Sequence, residues 1–171
     1  MIMTEKNRLA VAMKAGMRFL ASGVTVVASR DKNDQAHAMT VTSTTSLSDD
    51  PASLLVCLHS DSMTCKSLTL GDDFSLNILN DQQADISQRC AFVPEDDNRL
   101  KLGAWQDFGE NKTPYLSDGL VNFICEIKKT IHYGTHLIVI GDVKEVMVNE
   151  NSEALLYYNG EYLTLGKKVS I

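Results

Sequence analysis

From Gly23 onward the chain is a succession of short apolar runs of strand length, each closed by a turn signal, and this pattern limits the fold more than any other feature. Gly23 opens the Val-rich run Val24 to Ser29, and the polar turn Asp31-Lys32-Asn33-Asp34 leads back into a strand holding Met39 and Val41, which predicts a hairpin. Ser53 to Leu58 and Phe74 to Leu79 are two further compact strands, with a short helix expected over Ser62 to Leu70 between them. Val121 to Thr130 alternates Phe123, Cys125 and Ile127 inward with Asn122, Glu126 and Lys128 outward, and should pair with the long strand His136 to Val148. Tyr158-Asn159-Gly160-Glu161 is a two-residue hairpin signal, because Asn-Gly supplies the positive φ values of a type I′ turn. Helical periodicity is confined to two places. Leu9, Ala12, Met13, Gly16, Met17 and Leu20 form an apolar stripe on Thr4 to Ala21 that is expected to pack on a sheet, and Asn80 or Asp81 can cap a helix running to about Phe92. Many strands, few helices and hairpin connections predict a mainly β chain, an antiparallel barrel and not a parallel sheet.

With 171 residues, 44% of them hydrophobic, the chain can build one well-packed core and is short for two. A single domain over 1–171 is expected, with an N-terminal helix at about 4–21 and the barrel at about 23–165. The net charge of −6 leaves no broad basic surface, which argues against nucleic-acid and anionic-membrane partners. The four cysteines, Cys57, Cys65, Cys90 and Cys125, include no CxxC pair and no secretory signal precedes them. Free thiols in a reducing cytoplasm are therefore expected, and no metal site. The longest apolar stretches, such as Leu137 to Ile140, fall far short of the roughly 20 residues of a membrane-spanning helix. From Glu95 to Asp118, charges, Gly and Pro114 interrupt any period. That segment is either a lid or a surface excursion anchored by Trp105 and Phe108.

Seven of the nine residues from Thr40 to Ser48 are Ser or Thr, so this stretch has strand propensity without a complete hydrophobic face. A second hydroxyl cluster, Ser60, Ser62, Thr64 and Ser67, follows the next strand and surrounds Lys66. One reading is a solvated edge strand; the other is two hydroxyl-rich segments closing around one ligand. Competing motifs fail on spacing. Five residues separate the glycines of Gly160 to Lys167 where a phosphate loop has four, and Lys168 stands where that loop has Ser or Thr. His132 and His136 lie on a strand without the Glu of a zinc-protease helix, and neither GxSxG nor GxGxxG occurs.

Gly23-Val24-Thr25-Val26-Val27, followed by Ala38 to Ser48 and Pro51, resembles the corresponding segment of the short-chain flavin reductases, typically GMTVSSFTSVSLDPP. Phe74 to Leu79 is similar to that family's F-x-V-N-x-L strand, and Gly134-Thr135-His136 with Ile140-Gly141-Asp142-Val143 to its GDH and IGxV pair. Leu155 to Tyr162 is similar to its closing LLYxxGxY, so the likeness runs from roughly Met17 to Leu165. The resemblance implies a split β-barrel with a few flanking helices that dimerises and holds FMN or FAD near the subunit interface. It also implies NAD(P)H-dependent reduction of flavin, often to supply a separate monooxygenase. In such a site the cofactor does the redox chemistry while the protein supplies position and electrostatics.

Carried over residue by residue, the likeness implies that Met39, Thr40, Val41, Thr42 and Ser43 line the isoalloxazine ring, with Ser46 and Ser48 extending the contact. Thr64 would bind phosphate, helped by Ser60, Ser62 and Lys66, because hydroxyls and amides at a helix start favour anions. Asn77 is expected to satisfy backbone groups at the barrel wall. His136 matches the family histidine near flavin and nicotinamide, a catalytic position where an imidazole can hydrogen-bond either ring system. Three positions depart from the pattern: Thr135 where the family usually has Asp, Ala38 where it often has Gly, and Cys90-Ala91 where a Phe-Ala or Phe-Ser pair is common. Thr135 is the feature that favours an alternative, a flavin-binding carrier, sensor or electron-transfer protein with little reductase activity. The related pyridoxamine-phosphate oxidases share the barrel, but their substrate-binding motifs are not evident.

Overall fold

The structure is a computed structural model, and it describes residues 5–92, 99–150 and 152–166. Among the described residues, twelve strands and three α-helices make the chain mainly β. Seven of the strands form one antiparallel sheet in the order β3 (Ala36–Val41), β2 (Thr25–Arg30), β6 (Asp73–Ile78), β9 (Val121–Tyr133), β10 (His136–Val148), β5 (Ala52–His59) and β4 (Thr44–Asp49). A small sheet joins β1 (Ser22–Gly23) to the hairpin of β11 (Leu156–Tyr158) and β12 (Glu161–Leu163), and β7 (Trp105–Phe108) pairs with β8 (Thr113–Leu116).

The order contains a geometric constraint. β3 and β4 are consecutive in the chain, separated only by Thr42 and Ser43, yet they occupy opposite edges of the sheet. Two residues reach at most about 3.5 Å each, so the sheet must curl until its edges meet at this link. Strand twist supplies the curl. The enclosed face is filled by Val27, Val56, Leu58, Phe74, Leu76 and Val139, all wholly buried. Gly141 permits the closest approach there, because a Cβ at that position would stand 2.6 Å from the Phe74 ring. A second apolar cluster, with Val26, Leu79, Leu116 and Leu155, lies on the other face beneath α3 (Ala84–Phe92).

Turn chemistry follows the sequence closely. Asn159 and Gly160 have φ of 51° and 92°, as the type I′ signal requires, and Asp34 at φ 63° closes the β2–β3 hairpin. The β9–β10 pairing runs the length of both strands.

Four expectations need correction. The stripe on α1 (Glu5–Met17) packs on no sheet: its described residues are exposed, Leu9 at 72% and Met13 at 59%. The helix ends at Met17, short of Ala21, and Thr4 lies outside the described residues. The alternation on β9 is incomplete, because Asn122 and Ile124 are buried along with Cys125 and Ile127. The β7–β8 hairpin covers that second face, and two-sided burial removes the reason to alternate. The segment Glu95 to Asp118 carries the β7–β8 hairpin: Trp105 packs against the second apolar cluster, as the surface-excursion reading expects, and Thr113 and Leu116, 1% and 0% exposed, anchor it further; 95–98 lie outside the described residues. Finally, Asn80 does not begin α3. Its side chain bonds the Gln82 N–H and the Asp118 carbonyl, pinning the preceding turn, and the helix starts at Ala84.

Candidate functional site

The register of β5 assembles the site. On one side His59 faces His136 and Cys57 faces Ile138 across the β10 ladder. On the other, Thr44 pairs with Val56. Ser43 continues that line: its backbone carbonyl accepts the Cys57 N–H at 3.3 Å and its hydroxyl donates to the Cys57 carbonyl at 2.8 Å. The Thr42–Ser43 link, the end of β5 and the start of β10 thus lie side by side. The β9–β10 turn is drawn in as well, through a 3.0 Å bond from the Ser60 N–H to the Thr135 carbonyl.

Beyond His59 the chain turns into α2 (Met63–Ser67). Ser62 is the N-cap: its hydroxyl accepts from the Cys65 N–H at 3.0 Å and donates to the His59 carbonyl at 2.9 Å. Its role is to shape the turn. α2 lies over β2 and β3, with Ser67 bonded to Ser29 and Cys65 in the same core as Met39 and Val41. Burial pushes the Cys65 thiol above its ordinary pKa, so it is no thiolate nucleophile.

Three hydroxyls, those of Ser60 and Thr64 just beyond β5 and of Thr44 opposite Val56, are buried without a hydrogen-bond partner. Thr64 is wholly inaccessible. Buried polar groups are normally satisfied, and an unmet one costs about 1–3 kcal/mol. A flavin nucleotide, with its phosphate and polar ring edge, offers the acceptors and donors that such hydroxyls lack, so the residues present fit the group that the sequence implies.

The other expected positions divide clearly. Val41 is core, Met39 packs against that core, and the Thr40 hydroxyl is committed to the Ser87 carbonyl of α3 at 2.7 Å. Thr42 is exposed on the link. Ser46 and Ser48 lie farther along the β4 edge, opposite Leu54 and Ser53, and are not brought to His136. Lys66 lines a polar cleft of about 500 Å³ at the β2–β3 turn, together with Arg30, Asp31 and His37, and none of the three orphan hydroxyls reaches that cleft. His136 is exposed, with Nδ1 engaged by the Thr135 hydroxyl at 2.9 Å.

Sequence reasoning missed two residues. Thr44 was indistinguishable from its neighbours in a hydroxyl-rich run, and its burial follows only from pairing with Val56. His59 carries no local signal; antiparallel register with His136 is what brings it in, and the rings pack edge to face at 5.4 Å.

Comparison with known proteins agrees with this geometry. Residues 17–166 match the model of the flavin reductase like domain family. The chain is 35% identical over 147 residues to the reductase component of an FADH(2)-dependent resorcinol hydroxylase from Rhizobium sp. (strain MTP-10005), covering 85% of this chain and 82% of that protein. It is 32% identical over 124 residues to the FMN reductase (NADH) RutF of Agrobacterium fabrum, covering 72% and 71% of the two. Among solved structures, a putative flavin reductase from Haemophilus somnus superposes with a TM-score of 0.84 at 28% identity, over 91% of this chain and 98% of that one.

Proposed function

The chain belongs to the flavin reductase like domain family, and from that membership we propose that it binds FMN or FAD and passes a hydride from NAD(P)H to the flavin. The observation that carries the reading is that Ser60 and Thr64, whose hydroxyls are buried and unpartnered, follow β5 at the end where His59 pairs with exposed His136, while Thr44 adds a third orphan hydroxyl farther along, opposite Val56. When bound, the flavin supplies the two-electron redox chemistry. The chain's residues supply position. Thr44, Ser60 and Thr64 would hold polar atoms of the nucleotide, Ser62 fixes the turn that presents two of them, and exposed Thr42 can meet the ring edge from the link. The bonds of Thr40 to Ser87 and of Ser43 to Cys57 hold the link itself in place. Thr135 occupies Nδ1 of His136, which leaves Nε2 to hydrogen-bond an incoming nicotinamide. Hydride transfer needs the reacting atoms about 3 to 3.5 Å apart in aligned rings, so no protein nucleophile is required.

A split barrel is the architecture that the two-residue link between opposite sheet edges supports. A homodimer is supported by the outward face of β5, β9 and β10, where Leu55, Cys57, Ile138 and Ile140 are half-buried and Ile131 is 42% exposed, and by the apolar stripe of α1. The four cysteines are free, which fits a reducing cytoplasm. A separate monooxygenase that consumes the product is the fitting partner.

The test is NADH and NADPH oxidation with added FMN, FAD or riboflavin, alongside quenching of flavin fluorescence by the apoprotein. Turnover with at least one pair is expected. Quenching without turnover for every pair would leave only a flavin carrier, and absence of quenching would end the reading. His136→Ala should reduce NAD(P)H-linked turnover more than flavin affinity.

A further inference from the structure

His59 and His136 are direct partners in the β5–β10 ladder, and their rings pack edge to face with centroids 5.4 Å apart and planes at 74°. Each ring has its own anchor. The Thr135 hydroxyl engages Nδ1 of His136 at 2.9 Å, and Nδ1 of His59 accepts the Asp61 N–H at 3.3 Å. The His59 carbonyl in turn receives the N–H and the hydroxyl of Ser62, at 3.1 and 2.9 Å. His59 is thereby built into the turn that carries Ser60, Ser62 and Thr64, while its ring leans on His136.

Both histidines are exposed, so the ring contact fills no core. An exposed side chain ordinarily samples several rotamers within nanoseconds. Thr135 touches His136 from its own strand end and constrains one ring nitrogen; His59 adds a contact from the neighbouring strand, across the ring. Two independent restraints define an imidazole plane where one leaves it free to rock.

Resting on the flavin and nicotinamide reading of the site, we propose that His59 is a positioning residue: its ring holds the His136 imidazole in the orientation that meets the nicotinamide. His59 acts through His136 and makes no bond to the reacting atoms.

The experiment compares His59→Ala, His59→Phe and His59→Asn, singly and in the His136→Ala background. Phe keeps an edge-to-face ring and lacks the acceptor for Asp61; Asn keeps a short acceptor and lacks the ring. Flavin affinity, read by fluorescence quenching, should stay within about 2-fold in all three, since the orphan hydroxyls are untouched. Edge-to-face pairing predicts that Ala and Asn lower kcat/KM for the nicotinamide by about 3- to 10-fold, while Phe recovers most of the loss. In the His136→Ala background, His59→Ala should add no further loss, as a residue acting through its neighbour must. A readout independent of turnover is the pair of His136 ring resonances in long-range proton–nitrogen NMR spectra, expected to shift in Ala and Asn. Unmoved His136 resonances in His59→Ala, or full additivity of the two alanine variants, would overturn the proposal. Should the wild-type protein oxidise no nicotinamide, the functional reading fails by itself, and the resonances still decide whether His59 holds His136.

Discussion

The Asn77 side-chain carbonyl accepts the Leu116 backbone N–H at 2.9 Å while its amide donates to the Val26 carbonyl and the Ser75 hydroxyl, each at 2.9 Å. One wholly buried amide thus ties β2, β6 and β8 together. Replacing it with Leu leaves the Leu116 N–H and the Val26 carbonyl without these bonds in an inaccessible place. Asn77→Leu should destabilise the protein by about 2 to 6 kcal/mol, at about 1–3 kcal/mol for each of the two abandoned groups. The check is the denaturant midpoint, with an unchanged slope.

Thr64 offers the opposite signature. Its hydroxyl is buried with no partner, so removing it takes away nothing that the apoprotein uses. Thr64→Val should leave apoprotein stability unchanged or slightly raised and weaken flavin binding by about ten-fold or more, the scale of a hydrogen bond to a charged group. Denaturation and fluorescence titration on the same samples test both halves; loss of stability with unaltered affinity would make Thr64 a structural residue.

Acid should loosen the β2–β3 hairpin through Asp31. The hydrogen bond from His37 is the chief cause holding its carboxyl below the ordinary carboxylate range, with the Gln35 and Asn33 N–H groups adding to it. A depressed folded-state pKa contributes stability that is present above the unfolded value and lost as pH falls through the folded one. Thermal stability should therefore fall as pH drops into and below the carboxylate range. Asp31→Asn should be less stable at neutral pH and show a shallower acid limb, measured by melting temperature against pH.

Burial pushes the Cys90 and Cys125 thiols up to about 12, so at pH 8 both remain protonated and shielded. Alkylation of the native protein at pH 8, followed by peptide mass spectrometry, should leave these two cysteines unmodified until denaturant is added. Rapid native labelling of either would place it nearer the surface than the fold allows.

Local features were legible in the sequence because short-range chemistry dictates them. Asn159-Gly160 set its turn, and the alternating and apolar runs marked β2, β5, β6 and β10 within a residue or two of their ends. What a distant element decides was not legible. Asn122 and Ile124 are buried because β7–β8 covers them, and the sequence around β9 says nothing of that cover. The helical stripe of α1 looked like a packing face, yet amphipathicity does not say what the face meets. For the site, the two hydroxyl segments and His136 could be picked out, the latter on family likeness. Their division of labour could not: Ser62 caps a turn, Thr40 is bonded to α3, Ser46 and Ser48 run off along an edge, and His59 enters only through register.

The position of β5 has a bearing on how the protein is made. Its neighbours are β4, which precedes it immediately, and β10, which begins only at His136. During synthesis the free edge of β5 must wait, half-paired, for a partner encoded far downstream, and contacts of such separation are slow to form. The ligand seat can therefore exist only once β10 has been translated, so acquisition of bound flavin follows the closing of that pairing.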